Sequence, residues 1–280
     1  MGEIVLAAKI THVPTIWMSE KVKGFEGIRK QAVAGLKEIG RRAEARGVET
    51  FILCDTHWLV NQGFHLNGRP GWAGTFTSHE LPHMLHGLAY DYRGDPDLGD
   101  LIAEEANAAG LRTLNHKVQG LDLEYGTLIP MWLANTFGAK VLPVAANQFS
   151  APEENRDFGM ALRRAVEKSG RRVAFLASGS LSHAFAPNRV SRDKLNDITD
   201  EFLRQVDLRV LQLWTEGEIA TFLKMLPTYV TACHGEGAMA DTAMLFGVLG
   251  WDSYRGKAEI LCDYFPSSGT GQVIVDFPVS

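Results

Sequence analysis

Three strand-like runs in this chain each end in a hydroxyl residue followed by histidine: VLAAKITH at Thr11-His12, FILCDTHW at Thr56-His57 and VAFLASGSLSH at Ser182-His183. Ligands of an open α/β sheet gather in the crevice beyond the carboxyl ends of its strands, so histidines far apart in sequence can face one site. Two neutral imidazoles and one carboxylate make a facial triad that leaves open positions on a divalent metal. The charge count favours a single acid. One anion leaves a ferrous ion with one net positive charge, enough to attract an anionic ligand. The third histidine is then available to move protons. A lone histidine at a strand end is more often a partly buried packing residue; the same Thr-His ending on the first two strands is what favours ligands. Spacing alone does not choose among Fe, Zn and Mn.

The third ligand must be acidic. Glu236, in HGEGAMAD, has flanking glycines that permit close backbone approach, and it stands at an expected helix start, where the dipole favours an ionised carboxylate. Asp55 and Glu124 compete for the role. The threonines before His12 and His57 are placed to hydrogen-bond around the metal ligands. His79, His83 and His86 share one helical face by spacing, but Pro82 interrupts them, and they read as structural or as part of a substrate loop. His65, His116 and His234 have no comparable context and read as structural.

The elements that position these residues alternate. EIVLAAKI and TFILC are the first two strands, separated by a helix between about Gly24 and Gly47 with apolar residues at helical spacing. Residues 63–77, rich in glycine and aromatics, read as a hairpin or excursion. A helix from about Pro96 to Ala109, the strand LRTLNH, a helix over Glu124–Asn135 containing Pro130, the strand KVLPVAAN, a helix over Pro152–Lys168 and the strand RRVAFLASG follow. Phe202, Val206, Val210 and Leu213 form the apolar stripe of a long helix, and another helix spans Glu236–Leu249. AEILCDYF and GQVIVDF close the chain across the turn Ser267-Ser268-Gly269. This order predicts an α/β/α sandwich around a mixed, mainly parallel sheet, with residues 1–280 forming a single domain.

Composition narrows the function. With 28 basic against 33 acidic side chains and no basic cluster, nothing favours nucleic acid. No apolar run is long enough to span a membrane, and the start lacks the pattern of a signal peptide. Cys54, Cys233 and Cys262 are too few and too scattered for a disulfide framework, which suits a cytoplasmic, reducing location.

The segments KITHVP, DTHWLVN, ELPH, LEYGTLIPM, ASGSLSH, GEGAMADT and FPSSGTGQ, from Lys9 to Gln272 and in matching order, resemble those of the class III extradiol ring-cleaving dioxygenases. The resemblance implies Fe(II) held by His12, His57 and Glu236, with His183 as acid/base. It further implies a catechol and O2 as substrates, no organic cofactor, a muconic semialdehyde as product, and a homo-oligomer. Where many relatives carry histidine in D-H-G-x-x-x-P, this chain reads Glu124-Tyr125-Gly126 with Pro130 kept. Tyr125 is thus a catalytic candidate as a hydrogen-bonding phenol, better suited to that than to shuttling protons. Ser267, Ser268 and Thr270 are expected to line a pocket wall for a carboxymethyl side chain, with backbone N–H groups near Gly269 and Gly271 cradling its carboxylate. Aminophenol, protocatechuate or gallate are sibling substrates. A zinc hydrolase and a non-catalytic binding protein on the same fold are the alternatives of other classes.

Overall fold

The computed structural model describes residues 1–279. The chain runs β1 (Glu3–Ile10), α1 (Pro14–Lys21), α2 (Lys30–Ala45), β2 (Thr50–Val60), β3 (Phe64–Asn67), β4 (Gly71–Phe76) and β5 (Leu88–Arg93). It continues through α3 (Pro96–Ala108), β6 (Thr113–His116), α4 (Tyr125–Ala134), β7 (Lys140–Asn147), α5 (Pro152–Ser169) and β8 (Arg172–Ser178). Then come α6 (Glu201–Glu216), α7 (Ile219–Ala232), α8 (Ala240–Leu249), β9 (Glu259–Ser267) and β10 (Thr270–Phe277).

Eight strands form one sheet in the order β6-β3-β7-β2-β8-β1-β10-β9. The central strands β7, β2, β8 and β1 are mutually parallel, while β10 is antiparallel to both β1 and β9, and β3 is antiparallel to β7. The sheet is therefore mixed, and its parallel centre puts the ends of β2, β8 and β1 side by side.

Side chains alternate across each central strand, as the two-residue period of a strand requires. Ala7, Ile52, Cys54, Phe175 and Ala177 enter one core with the helices α3, α5, α6, α7 and α8. Leu6, Ala8, Phe51, Leu53, Ala174 and Leu176 enter the other with α1, α2 and α4. Both faces are covered, which is why these strands read as nearly continuous apolar runs. None of the helices of the described residues is long and apolar enough to cross a membrane.

Several local expectations shift. The helix expected from Gly24 begins only at Lys30, and the short α1 precedes it. The 63–77 segment splits: β3 joins the main sheet, and β4 pairs with the unexpected β5 in a separate two-stranded sheet. The stripe on α6 lies one residue further round than Phe202 and Val206 suggest. Phe202 is 56% exposed, whereas Leu203, Val210, Leu213 and Trp214 are buried together with Asp207. An aspartate in the stripe disguised the true face.

The helix expected from Glu236 to Leu249 is broken. Glu236–Met239 is a short 3-10 segment, and Gly237, Ala238 and Met239 take φ of +53°, +56° and +57° before α8 begins. Left-handed backbone at two non-glycine residues is unfavourable, and holds only where the surroundings enforce it. The helix-dipole argument for Glu236 therefore fails.

The helices α5 and α8 cross at Gly247, where a Cβ would lie 2.3 Å from the Arg156 carbonyl oxygen. Gly247→Ala should therefore push the helices apart and lower stability by about 1–3 kcal/mol, the usual cost of overpacking. Urea unfolding would check this, and an unchanged midpoint would show that the crossing has slack.

Candidate metal centre and active site

His12 lies two residues beyond the end of β1. Its Nδ1 is 2.9 Å from Ser178 Oγ, and that hydroxyl donates its one proton to the Gly126 carbonyl at 2.6 Å. Ser178 must then accept from His12, which fixes the proton on Nδ1 and leaves the Nε2 lone pair free. His57 sits where β2 leaves its ladder with β7: Asp55 pairs with Ala145 and Leu59 with Ala146, so Thr56, His57 and Trp58 loop out. The loop is fastened by the Asp55 carboxylate, which accepts from the His57 backbone N–H (2.8 Å) and from Thr127 Oγ1 (2.7 Å). Gly126 is obligatory beside it, since a Cβ there would lie 2.0 Å from Asp55 Oδ1.

Glu236 is the point of convergence. Its Oε1 lies 3.5 Å from His12 Nε2 and 3.9 Å from each of His57 Nε2 and His183 Nε2. Thr56 Oγ1 donates to the same oxygen at 2.7 Å, and the Ser180 backbone N–H donates to Oε2. Burial would push this carboxyl up, but His183, His12 and His57 hold it well below the usual carboxylate range. His57 is pushed down to about 3, by burial first and by the neighbouring His12 second, against the pull of Glu236. An ionised carboxylate beside an uncharged imidazole is the donor state that a divalent cation needs.

Among the described residues, His12, His57 and Glu236 are the one group of three or more such side chains able to hold a metal, with one ligand atom from each within 4.8 Å of the others. Asp55 is engaged in fastening the loop and Glu124 lies outside the group, so neither competitor joins. The donor set of two imidazole nitrogens and one carboxylate oxygen, with one tautomer locked, fits a facial triad.

His183 stands at the edge of this group. β8 ends at Ser178, so His183 lies on the following loop and not at the strand end. Asp207 of α6 fastens that loop: it accepts from Ser182 Oγ (2.7 Å), Tyr229 Oη (2.5 Å) and Tyr264 Oη (2.9 Å). Burial lowers the imidazole of His183 below its ordinary value, and Glu236 partly offsets this. Tyr125, the first residue of α4, packs its ring on His57 at 3.8 Å between centroids and approaches His12 at 5.7 Å. Burial raises its phenol further above the ordinary value, helped by Glu236, Glu80, Asp55 and Glu124, so it remains a donor.

The turn holding Ser267, Ser268 and Thr270 lies beyond the end of β1, the same end as His12. Its backbone N–H groups are already engaged: Ser268 with Leu195 O, Gly269 with Asp197 O and Gly271 with Ser182 O. They cannot also cradle a carboxylate, so any part this turn plays is through shape and hydroxyl groups. His79, His83 and His86 are exposed along an irregular loop and are not among the residues of the metal group. His65 and His116 stack on each other, with His65 Nδ1 2.6 Å from His116 Nε2.

Three contributors were not foreseen. Ser178, Ser180 and Asp207 are small or acidic residues in apolar surroundings, and only the folded chain reveals what they face.

The chain belongs to the family described as the catalytic LigB subunit of aromatic ring-opening dioxygenase, whose model matches residues 6–278. It is thus a ring-opening dioxygenase, which sets aside the zinc-hydrolase and non-catalytic readings. It is 45% identical to 3,4-dihydroxyphenylacetate 2,3-dioxygenase of Escherichia coli, covering 92% of this chain and 94% of that one. It is also 22% identical to the 2-aminophenol 1,6-dioxygenase beta subunit of a Pseudomonas species, over 99% of this chain and 94% of the other. A crystal structure of an uncharacterized Escherichia coli K12 protein shares the fold, with a TM-score of 0.63 at 11% identity over 89% of this chain and 92% of that one.

Removing a ligand should empty the site without unfolding the protein. His12→Ala and Glu236→Ala should lose bound divalent metal on desalting, and Thr56→Val should weaken metal affinity ~10–100-fold, as removal of a group that orients a ligand does. Metal content and circular dichroism, measured together, check both statements. Wild-type metal content in His12→Ala would sink the ligand assignment.

Proposed function

We propose that residues 1–280 form one catalytic domain that cleaves 3,4-dihydroxyphenylacetate between C2 and C3 with O2, placing both oxygen atoms in a muconic semialdehyde. The observation that carries this reading is the convergence of three imidazole Nε2 atoms on one carboxylate oxygen, at 3.5, 3.9 and 3.9 Å. The substrate is supported by the 45% identity to a dioxygenase of that name. His12, His57 and Glu236 would hold Fe(II). That ion would supply the one-electron chemistry by which O2, a triplet, reacts with a closed-shell ring.

The chain's own residues prepare the substrate. His183 is held neutral at pH 7 by burial, so it begins as a base that takes a proton from a catechol hydroxyl at Nε2 and later returns it as ring oxygen bonds rearrange. Tyr125 walls the site and donates a hydrogen bond from its phenol. Ser267, Ser268 and Thr270 form the wall that receives the carboxymethyl group. Three free, buried cysteines suit a cytoplasmic setting, and exposed Phe149 and Phe185 suit assembly into a homo-oligomer.

Anaerobic loading with Fe(II), followed by O2 and a panel of catechols, aminophenol, protocatechuate and gallate, tests the reading through the yellow ring-opened product. The expected outcome is highest kcat/KM on 3,4-dihydroxyphenylacetate. His183→Ala should keep its iron yet turn over ~10²–10⁴-fold more slowly, the usual contribution of a general acid/base. Loss of iron in step with activity would make His183 a ligand instead.

A further inference from the structure

Arg29, just before α2, is only 7% exposed, yet no carboxylate among the described residues bonds to it. Its guanidinium donates through Nε to Thr15 Oγ1 (3.0 Å) and through Nη2 to the Leu195 carbonyl (3.1 Å) and Asn196 Oδ1 (2.7 Å). All three acceptors are neutral. The guanidinium carbon lies 4.9 Å from the centre of the Phe265 ring, a contact that supplies no anion either. Burial pushes Arg29 down to about 10, with Cys262 partly offsetting it. A cation taken out of water in this way calls for a counter-ion.

Its place in the fold identifies which one. Thr15 stands in the first turn of α1, three residues after His12, and its hydroxyl is 3.2 Å from Ser267 Oγ. From there hydrogen bonds lead to the metal group: Thr270 Oγ1 donates to Ser267 O, Gln272 Nε2 to Thr270 Oγ1 and Ser180 Oγ, and Ser180 N–H to Glu236. The guanidinium therefore sits behind the turn at one end of the site. Around Tyr125 the carboxylates Glu236, Glu80, Asp55 and Glu124 act on the phenol, while beside the turn the Asp207 carboxylate is held by Ser182, Tyr229 and Tyr264. The N–H groups of the turn are unavailable to hold a substrate anion, which leaves the Arg29 guanidinium as the uncompensated positive charge beside it.

We propose that Arg29 is a specificity-determining residue, supplying the positive charge that draws the side-chain carboxylate of the catechol to the Ser267–Thr270 wall and so sets which ring edge meets the metal group. This rests on the substrate class proposed above.

The test compares kcat/KM for 3,4-dihydroxyphenylacetate with that for 4-methylcatechol, which has the same ring and no charge, in the Fe(II)-loaded wild type, Arg29→Met and Arg29→Lys. Taking the ratio within each protein cancels differences in folded fraction. The wild type should prefer the acid, Arg29→Met should lose that preference roughly 10–100-fold, as for one charged hydrogen bond, and Arg29→Lys should retain most of it. A wild-type preference that survives in Arg29→Met, or equal losses on both substrates, would overturn the role of Arg29 and leave it as a support for the 195–196 segment. A wild type indifferent to the charge would instead overturn the substrate class, and the role of Arg29 with it.

Discussion

Burying the Glu236 carboxylate in its ionised form requires donors on both of its oxygens, and much of the architecture serves that requirement. Glu236 is only 4% exposed. Thr56 comes from the looped-out stretch of β2, and Ser180 from the segment after β8, so the donors come from the ends of two neighbouring strands. The backbone of Glu236 is itself tied to that segment through Leu181 O. Reaching this position costs the chain its left-handed residues after Glu236. The fully buried ion pair of Lys9 with Asp241 anchors the start of α8 to β1 just beyond them. Such a pair contributes little net stability, because both charges are desolvated, but it fixes register between the element bearing His12 and the one following Glu236.

The sheet and the two Thr-His endings were legible because both rest on local, repetitive signals. Apolar runs ending in Thr-His mark strands and their ends without reference to anything distant. The strand-end rule then brings His12 and His57 together, because β2, β8 and β1 are neighbours, while His183 reaches the group from the loop after β8. Two of the misjudged features involved a polar residue whose partner lies far away in sequence. Asp207 interrupts the stripe of α6 because it must meet Ser182, Tyr229 and Tyr264. Glu236 looked like a helix start because its real stabilisation comes from Ser180 and Thr56. Arg29 carries no motif at all, and only its missing anion singles it out.

The two ends of the site differ in kind. At the Tyr125 end, aromatic and acidic groups surround His57, and the phenol is held as a donor. At the other end, hydroxyl groups run from Thr15 to Ser180 in front of a buried guanidinium. In the reading proposed above, a ring bearing two hydroxyls and an acidic tail lies with its carboxylate toward that guanidinium.

The position of β10 has a consequence for how the protein matures. This last strand lies directly beside the first, and the loop bearing His183 is laced to it by bonds between Gly271 and both Leu181 and Ser182. Gln272 also receives the hydroxyl of Thr11, next to His12. During synthesis β1 emerges first and must wait, its outer edge unpaired, until nearly the whole chain has followed. Contacts of such long sequence separation are the slow ones to form. Completion of the His12, His57 and Glu236 group then waits on the docking of β10, and a chain in which that strand has not docked carries these side chains without the pocket.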